Sequence, residues 1–386
     1  MNTIERVIDF DLPVGQSAFL WGARKTGKST LMKQRYGTSI VYDFLKTDLL
    51  LELTRRPALL REQLEVLTPE ELSSPVILDE VQKVPHLLDE VHWLIENKGI
   101  SFILCGSSAR KLRRGHANLL GGRAWRFHLY PLTTCELPDL DLLRALNNGL
   151  IPAHYLNAHG QRSLRAYVSD YLKEEVFNEG LTRNIPAFSR FFEAMGYSHG
   201  QLTNYANIAR ECGVSAKTVR EYYQILVDTL LGMQLPPFKR RQNRQVISKA
   251  SKFYLFDVGV AGYLSKRKII EERGELFGHA FEHFIFMELL AHRSYRELEY
   301  DLAFWRTKSG MEVDFILGDG QVAVEVKGSR NVQSRDLRSS RAFVEEYSPQ
   351  KAIVVCNEEI PRRVGNIDIL PWRKFCERLW NGDIIN

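Results

Sequence analysis

Residues 22–29 read Gly-Ala-Arg-Lys-Thr-Gly-Lys-Ser, directly after the apolar run Ser17-Ala18-Phe19-Leu20-Trp21 and at the start of a helix-forming stretch, 28–34. That order commits a short segment to a strand, a tight turn and a helix start. Glycines let backbone N–H groups turn inward around phosphate oxygens. The helix start adds the positive end of its dipole. Gly22, Ala23, Arg24, Lys25, Thr26, Gly27, Lys28, Ser29 and Thr30 are therefore expected to enclose the phosphates of ATP. Lys28 would reach the β- and γ-phosphates, and the Ser29 hydroxyl would hold Mg2+.

A second run, Val76-Ile77-Leu78-Asp79-Glu80, is apolar until it ends in two acids. Carboxylates at the C-terminal end of a buried strand face the ligand crevice of an open α/β sheet. Asp79 is expected to coordinate the Mg2+, and Glu80 to polarise the attacking water. The next run, Phe102 to Ser108, ends in two hydroxyls, of which Ser107 is expected to sense the γ-phosphate or hold the water, with Ser108 the alternative. Arg123, after Gly121-Gly122, is expected to stabilise transferred charge, from its own subunit or from a neighbouring copy in a homo-oligomer.

The 386 residues are too many for one core and suggest two or three domains. Charge of +5 permits an anionic partner without requiring one. Five dispersed cysteines (Cys105, Cys135, Cys212, Cys356, Cys376), with no CxxC pair, fit a reducing compartment. No apolar run approaches membrane-spanning length and the first residues lack a signal peptide's apolar core, so the expectation is a cytoplasmic protein with no membrane partner. Strand-like runs at 17–21, 39–44, 75–79, 101–106 and 125–130 alternate with helix-like stretches, which predicts a parallel sheet. The middle third is helical in pattern. Further strands are expected at 252–256, 302–306, 313–317, 322–326 and 352–356, with a long helix before the last four.

These motifs, with Gly106-Ser107-Ser108-Ala109, Gly122-Arg123, Tyr130-Pro131-Leu132-Thr133 and Glu136, resemble prokaryotic AAA+-type ATPases that carry a C-terminal domain of unknown function. The likeness continues through Asp170-Tyr171-Leu172, Val214 to Val219, and Phe253 to Gly259, and so covers most of the chain. It departs at Thr133-Thr134-Cys135, where such proteins often carry Ser-Phe. The resemblance implies an α/β chain in three parts: an AAA+-like P-loop ATPase domain (1–138), a helical and winged-helix-like domain (139–264), and a restriction-endonuclease-like α/β domain (265–386).

Within the middle part, 207–215 and 216–225 read as helix, tight turn, helix. Gly213 suits a left-handed turn, and Ser215 can cap the second helix. Were DNA the partner, Lys217, Thr218 and Arg220 would face its major groove. Lys239, Arg240, Arg241 and Arg244 would contact phosphates from a wing. The alternative is a protein-binding module with a solvated charge run.

Near the C-terminus, Glu282 falls on a helix, Asp314 in a strand, and Glu325 and Lys327 on the next strand. Two-residue spacing puts Glu325 and Lys327 on one face. Facing strands would bring Asp314 and Glu325 together around a shared divalent cation, Mg2+ or Mn2+, and Lys327 could orient a nucleophilic water. This Glu … Asp … Glu-x-Lys order resembles the restriction-endonuclease-like PD-(D/E)XK superfamily, which implies Glu282, Asp314 and Glu325 as metal ligands and Lys327 as the catalytic lysine. His279 and His283 are four apart on one helix, but Glu does not follow His279 directly, so they do not form a metalloprotease site.

Two functions follow. In one, the ATP cycle controls DNA binding and Mg2+-dependent cleavage. In the other, the chain is an ATP-dependent switch or scaffold whose nuclease-like domain only binds a protein or nucleic-acid partner.

Overall fold

The computed structural model describes residues 4–108, 120–172, 184–240 and 249–386. The chain forms two compact units, one of Ile8–Tyr130 with Asp228–Leu231, the other of Met1–Val7, Pro131–Val227 and Gly232–Asn386. Among the described residues no helix is long and apolar enough to cross a membrane.

In the first unit, β1 (Ser17–Trp21), β2 (Val41–Asp43), β3 (Val76–Asp79), β4 (Phe102–Gly106) and β5 (Ala124–His128) make one sheet in the order β2-β3-β4-β1-β5. All pairings are parallel. The inner strands read as continuous apolar runs because both their faces are covered. Phe19, Leu78, Phe102 and Leu104 pack with Leu87, Val91 and Leu94 of the helix Leu87–Lys98. That helix stops at Gly99, whose left-handed φ of 66° turns the chain out of the last turn. Register places Trp21 beside Gly106 and Asp79 beside Cys105, so β1, β3 and β4 end along one edge of the sheet. The phosphate loop, the Asp79-Glu80 pair and Ser107 all follow at that edge. The structure is thus a mixed α/β one with an N-terminal five-stranded parallel sheet and a separate C-terminal sheet.

The second unit contains the expected helix–turn–helix. Asn204 caps the helix Tyr205–Cys212 by accepting from Asn207 N. Gly213 turns left-handed at φ 66°. The Ser215 hydroxyl then accepts from Thr218 N at the start of the helix Ala216–Asp228. Strands β6 (Gly232–Leu235) and β7 (Lys252–Leu255) pair antiparallel after it. A six-stranded sheet follows, from β8 (Leu302–Arg306), β9 (Glu312–Leu317), β10 (Val322–Lys327), β11 (Lys351–Cys356), β12 (Arg362–Val364) and β13 (Ile367–Pro371), in the order β12-β13-β11-β10-β9-β8. Here β8, β9 and β10 are antiparallel neighbours, whereas β10, β11 and β13 run parallel. β12 and β13 were not expected from the sequence. The helix Arg338–Tyr347 packs Phe343 and Tyr347 against Trp305, Val313, Ile316 and Ala323. On the long helix Glu275–Tyr295, the Phe286 ring stacks on Phe315 at 5.8 Å.

Candidate functional site

The phosphate loop leaves β1 with no room for side chains at its first turn. A Cβ on Gly22 would lie 2.6 Å from the Leu129 carbonyl oxygen. Gly27 takes φ 102° and Lys25 φ 64°, which together turn the loop into the helix Lys28–Arg35. Lys28 is buried, and its ammonium donates to the carbonyls of Gly22 (2.7 Å) and Ala23 (3.1 Å). Its charge is therefore centred on the loop. The Ser29 hydroxyl donates to Asp79 Oδ2 at 2.8 Å. Burial pushes the Asp79 carboxyl above the usual aspartate range, and the Ser29 hydrogen bond pulls it back. Hydroxyl and carboxylate oxygens are hard donors of the kind Mg2+ takes, so this pair fits that ion.

Glu80 sits one residue past β3 in a left-handed conformation (φ 59°), which is costly for a non-glycine residue. That conformation swings its side chain back into the protein, where Glu80 is 8% exposed. Gln82 Nε2 donates both to Glu80 Oε2 and, at 3.1 Å, to Ser107 Oγ. Ser107 therefore lies beside Glu80. Gln82 was not foreseen; its signal was an amide two residues after the acid, in a short 3-10 turn (Val81–Lys83). Ser108, the alternative hydroxyl, is buried.

Arg123 is not brought to this edge. It precedes β5, and Ala124 is paired with Ser17 at the start of β1, the end of the sheet remote from the phosphate loop. Its guanidinium pairs with Glu96 on the helix Leu87–Lys98. A role for Arg123 at its own subunit's phosphates is therefore corrected: in a parallel sheet, residues before a strand lie on the edge opposite those after it.

In the middle part, Lys217 and Arg220 are exposed and Thr218 half-buried on the helix Ala216–Asp228. Arg220 lies over the Tyr205 ring at 5.1 Å. The expected wing is different from a free loop at its root. Phe238 N donates to the Phe304 carbonyl at 2.7 Å, Phe304 N donates to Pro236, and the Phe238 ring enters the core beside Phe343. Lys239 is exposed. Arg240 faces Asp319 at 3.8 Å, and its carbonyl accepts from Tyr347 Oη. Arg241 and Arg244 lie outside the described residues.

The C-terminal carboxylates come together where two strands part. The β9–β10 ladder has its last rung at Val324–Phe315. Beyond it the Asp314 carboxylate takes over, accepting from Val326 N at 2.8 Å. Glu325 lies beside it, paired with the Lys327 ammonium, and its Oε2 is buried without a hydrogen-bond partner. Burial and the nearby carboxylates push both Asp314 and Glu325 well above the ordinary carboxylate range. Burial works against the Lys327 charge, yet Glu325 and Asp314 outweigh it and hold the ammonium protonated.

Glu282 is oriented differently from the expectation. From the helix Glu275–Tyr295 it accepts from the Tyr254 hydroxyl and, at 2.9 Å, from the Lys252 ammonium. Lys252 Nζ also lies 2.6 Å from Glu312 Oε1 and 3.9 Å from Asp314 Oδ1. Among the described residues no three His, Cys, Asp or Glu side chains converge as a ready metal cage. The expectation that Glu282, Asp314 and Glu325 close directly around one ion is corrected to that extent: an ammonium stands among the carboxylates. Lys252, Tyr254 and Glu312 were missed. Glu312 could have been found by applying to Asp314 the two-residue spacing used for Glu325 and Lys327. His283 takes no part in the cluster. It is buried, 3.0 Å from His199, with its Nε2 at 2.8 Å from the Leu255 carbonyl.

Other motif residues hold the second unit together. Glu288 of the long helix accepts from Thr134 N (2.9 Å), the Thr134 hydroxyl (2.6 Å) and Trp380 Nε1 (2.8 Å). Glu136 accepts from Thr133 N and pairs with Arg6 at 2.7 Å. Asp257 caps the helix Val258–Leu264 by accepting from Gly259 N and Val260 N, and it also accepts from Leu150 N.

Residues 15–137 match an AAA domain, residues 139–269 a domain of unknown function (DUF8612), and residues 277–375 another (DUF4143). The uncharacterized proteins Rv2008c of Mycobacterium tuberculosis and Mb2031c of Mycobacterium bovis are each 26% identical to the chain over 298 residues, 74% of this chain and 66% of the relative. The match thus spans just under two thirds of those relatives' length. Residues 15–137 are an AAA-type ATP-binding P-loop domain, followed by two regions that match families of unknown function.

Proposed function

We propose that this chain is an ATP-hydrolysing switch whose nucleotide state governs a C-terminal cation-binding, nuclease-like domain. The observation that carries the reading is the grouping of Lys28, Ser29, Asp79, Glu80, Gln82 and Ser107 at one edge of the parallel sheet. Loop amides and the Lys28 ammonium would stabilise charge on the β- and γ-phosphates. A Mg2+ ion held by Ser29 and Asp79 would neutralise further phosphate charge. Glu80 would orient water in line with the γ-phosphate and accept its proton. Gln82 and Ser107, in contact with the Glu80 carboxylate, would keep it aimed at that water. Phosphate release from MgATP tests the reading: Lys28→Ala should abolish ATP binding, and an unimpaired Lys28→Ala protein would remove its basis.

We divide the chain functionally at 1–138, 139–264 and 265–386. The middle part is read as the nucleic-acid contact, through Lys217, Thr218 and Arg220 near the start of one helix. A cleaving C-terminal domain is the second reading, favoured by the fork that joins Asp314, Glu325 and Lys327 and by the unpartnered buried oxygen of Glu325. An uncompensated buried carboxylate oxygen calls for a cation or a proton, which supports a cation beside Glu325. Mn2+-supplied cleavage of DNA, lost in Asp314→Ala and Glu325→Ala, is expected. Activity unchanged by both substitutions would leave the domain as a binding module.

A further inference from the structure

Lys252 is a buried charge that the proposed chemistry does not use. It opens β7, the second strand of the hairpin that follows the helix–turn–helix, and it is 2% exposed. Its ammonium is shared by Glu282 of the long helix (2.9 Å), Glu312 of β9 (2.6 Å) and, more distantly, Asp314 of β9 (3.9 Å), with the Phe304 ring 5.6 Å away. A lysine is rarely buried unless several acids hold it. Burial alone opposes its charge, and Glu282, Tyr254, Asp314 and Glu312 outweigh that penalty.

Two of these acids, Glu282 and Asp314, are also the oxygens that a divalent ion at the fork would need. An ion coordinated by them would sit within a few ångströms of the ammonium, inside a buried region where like charges repel strongly. The cluster is nonetheless not saturated, because Glu325 Oε2 has no partner. The site therefore combines an oxygen ready for a cation with a resident cation that competes for its neighbours.

We propose that Lys252 is a built-in counter-cation that keeps divalent metal out of the Glu282–Asp314–Glu325 cluster. This rests on the reading of the cluster as a cation site.

The test is Mn2+ affinity of the full chain, measured from the electron paramagnetic resonance of free Mn2+, without nucleotide and in a Ser29→Ala background that removes the phosphate-loop contribution. Lys252→Met should bind Mn2+ about tenfold or more tighter than the parent, because one competing charge is gone. Lys252→Arg should show no gain, and adding Asp314→Asn to Lys252→Met should abolish binding. Should Lys252→Met fail to fold, Lys252→Gln removes the same charge with a polar side chain and carries the same expectation. A folded Lys252→Met, or Lys252→Gln in its place, with the parent's Mn2+ affinity overturns the counter-cation while the cation site stands. No Mn2+ binding by any of these proteins at millimolar concentration overturns both.

Discussion

The Ser29 hydroxyl donates to the Asp79 carboxylate across 2.8 Å, joining two motifs that are 50 residues apart in sequence. The contact exists because β1, β4 and β3 are successive parallel neighbours, so whatever follows each strand gathers at one edge. Nucleotide, metal and water chemistry can then be served from three separate turns, each held by a rigid strand.

Gln82 is expected to be a positioning residue for Glu80. Its amide donates to both Glu80 and Ser107. Gln82→Ala should lower kcat for ATP hydrolysis about tenfold to a hundredfold with little change in KM, since it removes orientation of the base and leaves the phosphate contacts in place. Steady-state kinetics checks this. A variant that raises KM alone would place Gln82 in nucleotide binding instead.

Arg123→Ala should leave ATP affinity within about twofold of wild type, as expected for a surface ion pair at the remote edge of the sheet. Titration with a fluorescent ATP analogue measures it. Affinity lost by an order of magnitude would mean that the arginine reaches a nucleotide after all, from a neighbouring copy.

Gly149→Ala should destabilise the second unit by about 3 kcal/mol or more. Gly149 adopts φ 79°, ψ 179°, a region essentially closed to other residues, and its Cβ would fall 2.0 Å from Asp257 Oδ1. Gly259 approaches from the other side, where a Cβ would lie 2.2 Å from Gly149 N. Chemical denaturation should show the loss; a wild-type midpoint would contradict this packing.

Glu288 makes stability depend on pH. Burial raises its carboxyl from 4.5 to about 7, against the pull of the Thr134 and Trp380 hydrogen bonds. The folded state then holds a proton that the unfolded state has released, so the contribution is favourable below pH 4.5 and is lost as pH rises to 7. Relative to wild type, Glu288→Gln should gain about 3 kcal/mol in unfolding free energy between pH 4.5 and pH 7. A difference between the two proteins that stays flat with pH would refute the assignment.

The phosphate edge was legible in sequence because its signals are local. Gly27, Lys28 and Ser29 must sit at a helix start, and Asp79-Glu80 must sit at a strand end, whatever else the chain does. Arg123 was misread because its position depends on strand direction: a residue before Ala124 in a parallel sheet cannot face a loop after Trp21. Lys252 was missed because burial of a charge is decided by partners distant in sequence, here Glu282, Glu312 and Asp314, and nothing in Lys252-Phe253-Tyr254-Leu255 marks it as interior. The anchoring of Phe238 in the core was missed for the same reason, since its partners Phe304 and Phe343 are distant in sequence.

The most direct measurement is phosphate release from MgATP by the purified full chain, compared with its Glu80→Gln variant alongside nucleotide affinity. Wild type is expected to bind and hydrolyse ATP, and Glu80→Gln to bind it with near-wild-type affinity while hydrolysis falls about a hundredfold or more. Hydrolysis undiminished in Glu80→Gln, or wild type that takes up no ATP, would contradict the account.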